Sequence, residues 1–499
     1  MIITPSQWAA LLPLLLPALG ACLIPLMALD RDQATAKWIR GAMYLTALLS
    51  VAAGFWYLTD LWMTGAQPSF GQLHMDRLAQ FSGIFVLVAA AMTILQSWDH
   101  FHQEGWVKGE TLSLLLFSVT GMMLFTATSN FLVLFLGLEL FSLPLYALVA
   151  TVRNRVEGSE GGMKYFLTGA VASSCFLMGG VLLYGLGGSL DLTVAATAIR
   201  TQGLGSDPMV LAGAALLLLG FLFKVSAVPF HQWTPDAYEG SPHPIAGFMS
   251  VATKGVAFIA LLRVFPVSLA GMGGAGVRMQ AALAFLAVLT LVVGNLTALV
   301  QTNVKRMLAY SSISHAGYLM LGFVAGTPAA YTGVLFYLVI YLAMNMGAFG
   351  LLTAFGLVGE KTTFEDLRGL GWKRPAMGFS AAVFMLSLAG IPPMGGFYGK
   401  YMIFKELVGT GHVGLAILGV LASLVSAYYY LRFLVALFLQ APSAEAERLA
   451  SDRPAVHAPL AGATVLVSAA IVLAGGFVQA FLVDGFAHRA ILEGLGLIR

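Results

Sequence analysis

Fourteen long apolar runs follow one another along the 499-residue chain, and no other feature limits its fold so severely. They lie at 6–29, 39–62, 78–97, 110–128, 130–152, 162–187, 209–235, 244–265, 278–301, 304–325, 329–358, 377–407, 412–440 and 459–484. About 20 apolar residues carry a helix across a bilayer. Inside lipid every backbone N–H and C=O must be bonded within the protein, which leaves helices or closed barrels. Runs this long, without apolar–polar alternation, are helices and not barrel strands. The expected fold is therefore an all-α integral membrane protein with about 14 transmembrane helices. Only 10% of residues are charged, well below the quarter usual in soluble domains, so one membrane domain over 1–499 is expected. The first run, from Trp8 to Leu29, lacks a basic leader and is read as a helix that stays.

Charge placement orients the spans. One set of alternate loops carries Arg31, Lys37, Arg40, Lys108, Arg153, Arg155, Lys305, Arg306, Lys361, Arg368, Lys373, Arg374, Arg448 and Arg453. The opposite side receives Arg77, Arg200, Arg263, Arg278, Arg489 and Arg499. Fourteen against six follows the positive-inside rule and puts both termini outside the cytoplasm. The net charge of +3 comes from scattered residues and offers no basic face to nucleic acid. Cys22 and Cys175 lie in apolar stretches and lack the spacing of a disulfide framework or a metal site.

Two spans are interrupted. The seventh contains Lys224-Val-Ser-Ala-Val-Pro229-Phe-His231 and the twelfth Gly390-Ile-Pro392-Pro393-Met-Gly395-Gly396. Proline removes a backbone donor and clashes with the preceding turn, so both helices are expected to kink or unwind within the membrane. The breaks lie five spans apart, each near a lysine, Lys224 or Lys400. Interrupted helices at matching places mark an inverted repeat in transporters. Spans 4–8 (110–265) and 9–13 (278–440) are then two five-helix units, with helices 1–3 (1–109) before them and a last helix (459–484) after. An odd number of helices per unit forces opposite orientations.

Lys164, Lys224, Lys254, Lys400, Lys405 and Arg432 fall inside spans, where a lysine at the helix centre costs about 2.5–3.5 kcal/mol. Lys405 and Arg432 are near span ends and are expected to snorkel; Lys164, one turn in, is intermediate. Lys224, Lys254 and Lys400 are deep. Glu139 is mid-span in Phe135-Leu-Gly-Leu-Glu139-Leu-Phe and calls for a cation, expected to be Lys224. Three deep lysines against one deep glutamate leave excess positive charge, which favours proton exchange over inert pairing. Opposite charges ~4 Å apart interact by about 4 kcal/mol at an effective dielectric of ~20. Strengthening and weakening a Glu139–Lys224 pair would therefore change how tightly Lys224 holds its proton. Polar groups suited to a wire accompany these charges. Ser250 precedes Lys254 by a helical turn, His231 follows the seventh-span break, and Ser311, Ser314, His315 and Tyr318 form one stripe on the tenth span.

At these residues the chain resembles a known family. Phe223–Gly240, Asn303–Tyr318 and Gly390–Lys400 are similar to long motifs of the proton-conducting antiporter-like subunits of respiratory complex I and Mrp antiporters. Within it, Thr234-Pro-Asp-Ala-Tyr-Glu-Gly240 and Gly161-Gly-Met-Lys164-Tyr-Phe look most like the N-type subunits of NADH:quinone oxidoreductase. The absence of histidine from Ala343–Ala348 and of a long C-terminal lateral helix favours that branch. The resemblance implies roles by motif: Glu139 and Lys224 as a modulated pair at the input, Lys254 as the central relay and Lys400 at the output. Lys164 would be modulatory, and His231, Ser250, Ser311, Ser314, His315 and Tyr318 accessory. It further implies that NADH, FMN, iron–sulfur clusters and quinone belong to other subunits, with no cofactor or metal in this chain. The partners implied are neighbouring antiporter-like and small membrane subunits, and lipid, in a bacterial inner membrane. An Mrp-type Na+/H+ antiporter subunit, a hydrogenase membrane subunit and an anchor with inert ion pairs are the alternatives.

Overall fold

The computed structural model describes residues 4–27, 36–104, 109–152, 155–266, 274–357, 362–443, 447, 458–478 and 483–494. Of the loop cations, Arg31, Lys108, Arg153, Lys361, Arg448, Arg453 and Arg499 lie outside the described residues.

Helices α1 (Pro5–Met27), α2 (Ala36–Thr64) and α3 (Arg77–Gln103) come first, with a two-residue hairpin, β1 (Ser69–Phe70) and β2 (Leu73–His74), between α2 and α3. There follow α4 (Gly109–Thr126), α5 (Phe131–Val149), α6 (Val156–Gly187) and a short amphipathic helix, α7 (Leu192–Thr201). The seventh span is split into α8 (Pro208–Lys224) and α9 (Trp233–Gly240). The eighth is α10 (His243–Phe248), a widened π-helical turn over Met249–Thr253, and α11 (Lys254–Val264). The second unit holds α12 (Gly274–Val300), α13 (Val304–Ala325), α14 (Pro328–Ala354), the one-turn α15 (Leu370–Lys373), the split α16 (Pro375–Ala389) and α17 (Gly395–Gly409), and α18 (Val413–Phe438). After α19 (Pro459–Phe477) and a π turn, α20 (His488–Gly494) closes the described chain.

Eleven described helices are long and apolar enough to cross a membrane. The three expected spans missing from that set are the two broken ones and α13. α8 and α16 are only 17 and 15 residues long, too short to cross alone. α13 has 22 residues, but its serines, His315 and tyrosines dilute its hydropathy. All fourteen runs are thus helical, and those that look least like spans carry the polar features.

The two broken helices share one backbone design. Ser226 and Gly390 both take a left-handed conformation, φ 62° and 85°, at the end of the first half. The same hydrogen bonds surround them: Ala227 N–H to Leu222 O and Ile391 N–H to Leu386 O, then Phe230 N–H to Ala227 O and Met394 N–H to Ile391 O. The starts of α5 and α13 match as well. Asn130 and Asn303 cap them by accepting two backbone N–H groups each. Each asparagine also pairs in a one-residue bridge with the loop before the broken helix, Asn130 with Asp191 and Asn303 with Thr363. This is the expected two-unit architecture, read from backbone geometry.

Three cations counted as loop residues are buried at helix ends. Arg263 makes two 2.7 Å bonds to Asp76, Arg77 bonds Glu493 at 2.7 Å, and Lys305 donates to backbone carbonyls. Hydropathy sees a charge at a span boundary but not the neighbouring helix that covers it.

Close helix contacts depend on glycine where the backbones touch. A Cβ on Gly121 of α4 would sit 2.5 Å from Phe141 N, and one on Gly137 of α5 would sit 2.7 Å from Phe125 N. Small residues at such crossings let membrane helices meet without a hydrophobic driving force. Gly121→Val is expected to separate α4 from α5 and destabilise the protein by roughly 1–3 kcal/mol. Thermal unfolding in detergent, compared with Gly121→Ala, measures it; an unchanged midpoint in the valine variant would refute this packing argument.

Candidate functional site

Lys224 ends α8 and is 2% exposed. Its Nζ donates to Ser142 Oγ of α5 at 2.6 Å, and the rings of Phe141, Tyr146, Tyr165 and Phe223 lie 5.1–5.5 Å away. Ser142 in turn donates to Leu138 O. The expected partner, Glu139, is not in ion-pair contact with Lys224, and its buried Oε1 has no hydrogen-bond partner. It lies one turn before Ser142 on the same helix, so the serine takes the direct contact. The sequence places a carboxylate near the amine but cannot resolve which of two groups, three residues apart on α5, reaches it.

Lys254 begins α11 and is 1% exposed. Its Nζ donates to Ser312 Oγ at 2.5 Å, and Tyr341 OH donates to the same oxygen at 2.8 Å. Ser250 is fully buried, but its hydroxyl turns to Gly247 O at 2.7 Å instead of to the lysine. Counted from the two asparagine caps, Ser312 of α13 occupies the place that Glu139 holds on α5. The second unit therefore presents a neutral hydroxyl where the first presents an acid.

The polar stripe on α13 is buried along its length. His315 lies between two phenols, with Tyr337 OH 2.6 Å from Nδ1 and Tyr430 OH 2.9 Å from Nε2. A neutral imidazole donates at one nitrogen and accepts at the other, so this arrangement can pass a proton from one side to the other. Tyr430 OH lies 2.5 Å from Ser311 Oγ, while Ser314 is turned back to Ser311 O. Tyr318 offers its ring face to Lys400, whose Nζ is 4.5 Å from the centroid.

Lys400 is 3% exposed on α17 and reaches back across the break. Nζ donates to Leu388 O at 2.9 Å, Ala389 O at 3.4 Å and Ser423 Oγ at 2.9 Å. These carbonyls end α16, where free C=O groups and the helix dipole favour a cation. Among the described residues, Lys224, Lys254 and Lys400 make no ion pair.

The other predicted residues lie apart from this row. Lys164 is 45% exposed and pairs with Glu160 at 2.6 Å and Asp236 at 2.7 Å. Asp236 and Glu239 of α9 also share Arg306 of α13, at 2.6 and 2.7 Å. His231 is half-buried, with no hydrogen-bond partner at Nδ1. Lys405 is exposed, as snorkelling requires. Arg432 reaches the end of α12, where it bonds Leu299 O at 2.9 Å and Gln301 O, and stacks on Phe364 at 4.1 Å.

Ser142, Ser312, Ser423, Tyr337, Tyr341 and Tyr430 belong to the site and were not singled out by sequence. Ser142 and Ser312 carried a weak signal, being polar residues one turn from Glu139 and beside the α13 stripe. The tyrosines carried none, because a membrane tyrosine is ordinarily packing or an interface anchor.

The family model for the membrane part of NADH:quinone oxidoreductase and Mrp antiporters matches residues 128–426. NADH-quinone oxidoreductase subunit N of Trichlorobacter lovleyi is 42% identical over 90% of this chain and 90% of its own length. A chain of respiratory complex I from Thermus thermophilus superposes with a TM-score of 0.78 at 34% identity, over 95% of this chain and 99% of that one. A chain of an archaeal membrane-bound sulfane sulfur reductase gives 0.84 at 25% identity, over 98% of each.

The ion chain across α6, α9 and α13 allows a graded test. Arg306 bridges two acids at about a quarter exposure, whereas Lys164 is nearly half exposed. Arg306→Gln is expected to lower stability by roughly 1 kcal/mol and Lys164→Gln by less than about half that. Thermal unfolding at low and high salt reads both; an equal loss in the two variants would refute the ranking.

Proposed function

This chain belongs to the NADH:quinone oxidoreductase/Mrp antiporter membrane family, and we propose that it serves as the N-type proton-translocating subunit of an NADH:quinone oxidoreductase. One observation carries the proposal. Three buried lysines, Lys224, Lys254 and Lys400, are held by hydroxyls and carbonyls and not by carboxylates. A structural cation in the middle of a span, unlike Lys305 at a span end, would have a permanent counterion, because a buried unpaired charge is severely unfavourable. An amine that gains and loses a proton needs partners that tolerate both states, and a hydroxyl does: it accepts from an ammonium and donates to an amine.

In this reading Lys224 is the input amine, Lys254 the relay and Lys400 the output, with Ser312, Tyr341, Tyr337, His315, Tyr430 and Ser311 as the hydroxyl and imidazole groups between the last two. Glu139 modulates Lys224. Its position beyond ion-pair reach corresponds to the weakly paired arrangement, and a small shift of α5 would strengthen the attraction. Lys164 acts indirectly, through Asp236, on the second half of the broken helix, and His231 and Ser250 stay accessory. Electron transfer would proceed in partner subunits holding FMN, iron–sulfur clusters, NADH and quinone. We place the chain in a bacterial inner membrane with both termini on the non-cytoplasmic side. Its parts would be helices 1–3 (1–109), the repeats 110–265 and 278–440, and the last helix (459–484). The named similarity to subunit N over nine-tenths of both chains favours this assembly over an Mrp antiporter.

Lys224→Ala and Glu139→Ala are expected to lower NADH-driven proton pumping several-fold in assembled complexes. Ser142→Ala should have a smaller effect, because water can replace the hydroxyl. Acidification of inside-out vesicles, normalised to NADH oxidation and to assembled complex, is the measurement. Normal pumping with either charge removed would leave these groups structural and end the proposal.

A further inference from the structure

Two buried histidines stand outside the lysine row. His100, near the end of α3, and His243, the first residue of α10, are 2% and 1% exposed, with ring centroids 4.9 Å apart. A ring nitrogen of His243, Nε2, lies 3.1 Å from Leu357 O. A carbonyl only accepts, so Nε2 carries the hydrogen and Nδ1 is the basic atom. His243 Nδ1 and His100 Nδ1 are both buried without a partner. The Glu104–Arg155 pair, at 2.8 Å, and Lys305, bonded to Glu239 O and Ser241 O, belong to the same end of the helices. That end carries the excess of positive loops.

Eleven residues separate His243 from Lys254 along the eighth span, with Ser250 between them. At 1.5 Å per residue the separation is about 16 Å, roughly half of the ~30 Å hydrocarbon core. The helix between is the π turn Met249–Thr253, a form that recurs at functional sites. Further buried polar atoms without partners line this stretch. Tyr238 OH and Asn345 Oδ1 are two. Tyr238 of α9 packs on Phe349 of α14, and Gly247 of α10 lies against Phe349 and Met346. Polar atoms this deeply buried are ordinarily satisfied by water when protein leaves them free.

We propose that His100 and His243 form the inlet of a water-lined proton passage that runs along α10–α11 past Ser250 to Lys254 without passing through Lys224. This deepens, and rests on, the reading of Lys254 as a proton carrier. A proton arriving through His100 binds His243 Nδ1 and gives an imidazolium. The imidazolium releases a proton to water beside Ser250, and that water delivers one to the neutral amine of Lys254. One proton moves and no other bond is made or broken.

The test uses the intact complex in inside-out vesicles, with proton yield per NADH as the readout. His243→Gln and His100→Gln keep the side-chain bulk but cannot titrate. Each is expected to assemble, to oxidise NADH with quinone, and to lose at least half of the proton yield. His243→Ala should lose as much and recover part of it on addition of imidazole, which a purely structural role would not allow. Wild-type yield in His243→Gln, or a His243→Ala loss that imidazole leaves untouched, overturns the passage. Should His243→Gln fail to assemble, His100→Gln is judged by the same criterion. Lys254→Ala separates the two proposals: wild-type yield there removes the relay itself, whereas a low yield there beside normal histidine variants removes only the passage.

Discussion

An amine sealed among apolar helices without a carboxylate beside it is the constraint from which the interior of this protein follows. Moving an ammonium from water into such surroundings is unfavourable by several kcal/mol, so each deep lysine must be offered compensation that does not trap its proton. Lys400 receives helix-terminal carbonyls and a serine, Lys254 a serine shared with a tyrosine, and Lys224 a serine with four aromatic rings around it. None of these partners carries a full negative charge. The one deep acid, Glu139, is kept out of ion-pair contact with Lys224, its Oε1 without a hydrogen-bond partner. The broken helices belong to the same logic, because an intact helix has no free carbonyl to offer a lysine in mid-membrane.

The two repeats use one backbone for different chemistry. At the breaks the left-handed residue and the surrounding hydrogen bonds are the same, yet the side chains diverge. Asp236 and Lys400 each lie ten residues beyond the left-handed position. The acid in the first unit binds Lys164 and Arg306, whereas the lysine in the second reaches its own helix end. Glu139 and Ser312 are likewise equivalent places, an acid in one unit and a neutral hydroxyl in the other. A symmetric scaffold thus supplies two similar half-sites that the side chains make chemically different.

Much of this was legible in the sequence, for identifiable reasons. Long apolar runs have one solution in lipid, so the fourteen spans could be read from hydropathy. Proline marked both breaks, with glycine beside it in the second, because those residues act on their own backbone. The three deep lysines stood out because a membrane core tolerates so few. Contacts between helices distant in the chain were illegible. Nothing local assigns Lys254 to Ser312, 58 residues away, over Ser250, one turn away. Lys305 and Arg263 looked like loop charges because burial at a span end depends on what packs over it. The partners of Arg432 were equally hidden, because the end of α12 that it caps is more than a hundred residues earlier.

α13 shows how the competing demands of insertion and conduction are reconciled. Its serines, His315 and tyrosines leave it less apolar than the eleven clear spans, and a helix of that character is a poor lipid-facing segment. The fold shelters it: nearly all its residues from Val304 to Ala325 are buried, among α12, α14, α17 and α18. Exposed apolar surface is carried instead by helices such as α18, through Leu424, Tyr428 and Leu431. Hydrophobicity is thereby divided between helices, with an apolar outer set surrounding a polar inner one. That division permits a row of hydroxyls and imidazole at the membrane centre, because the helix that bears them never has to be soluble in lipid on its own. It also explains why hydropathy is low at the site: the measure assumes that each span faces lipid, and this buried helix need not.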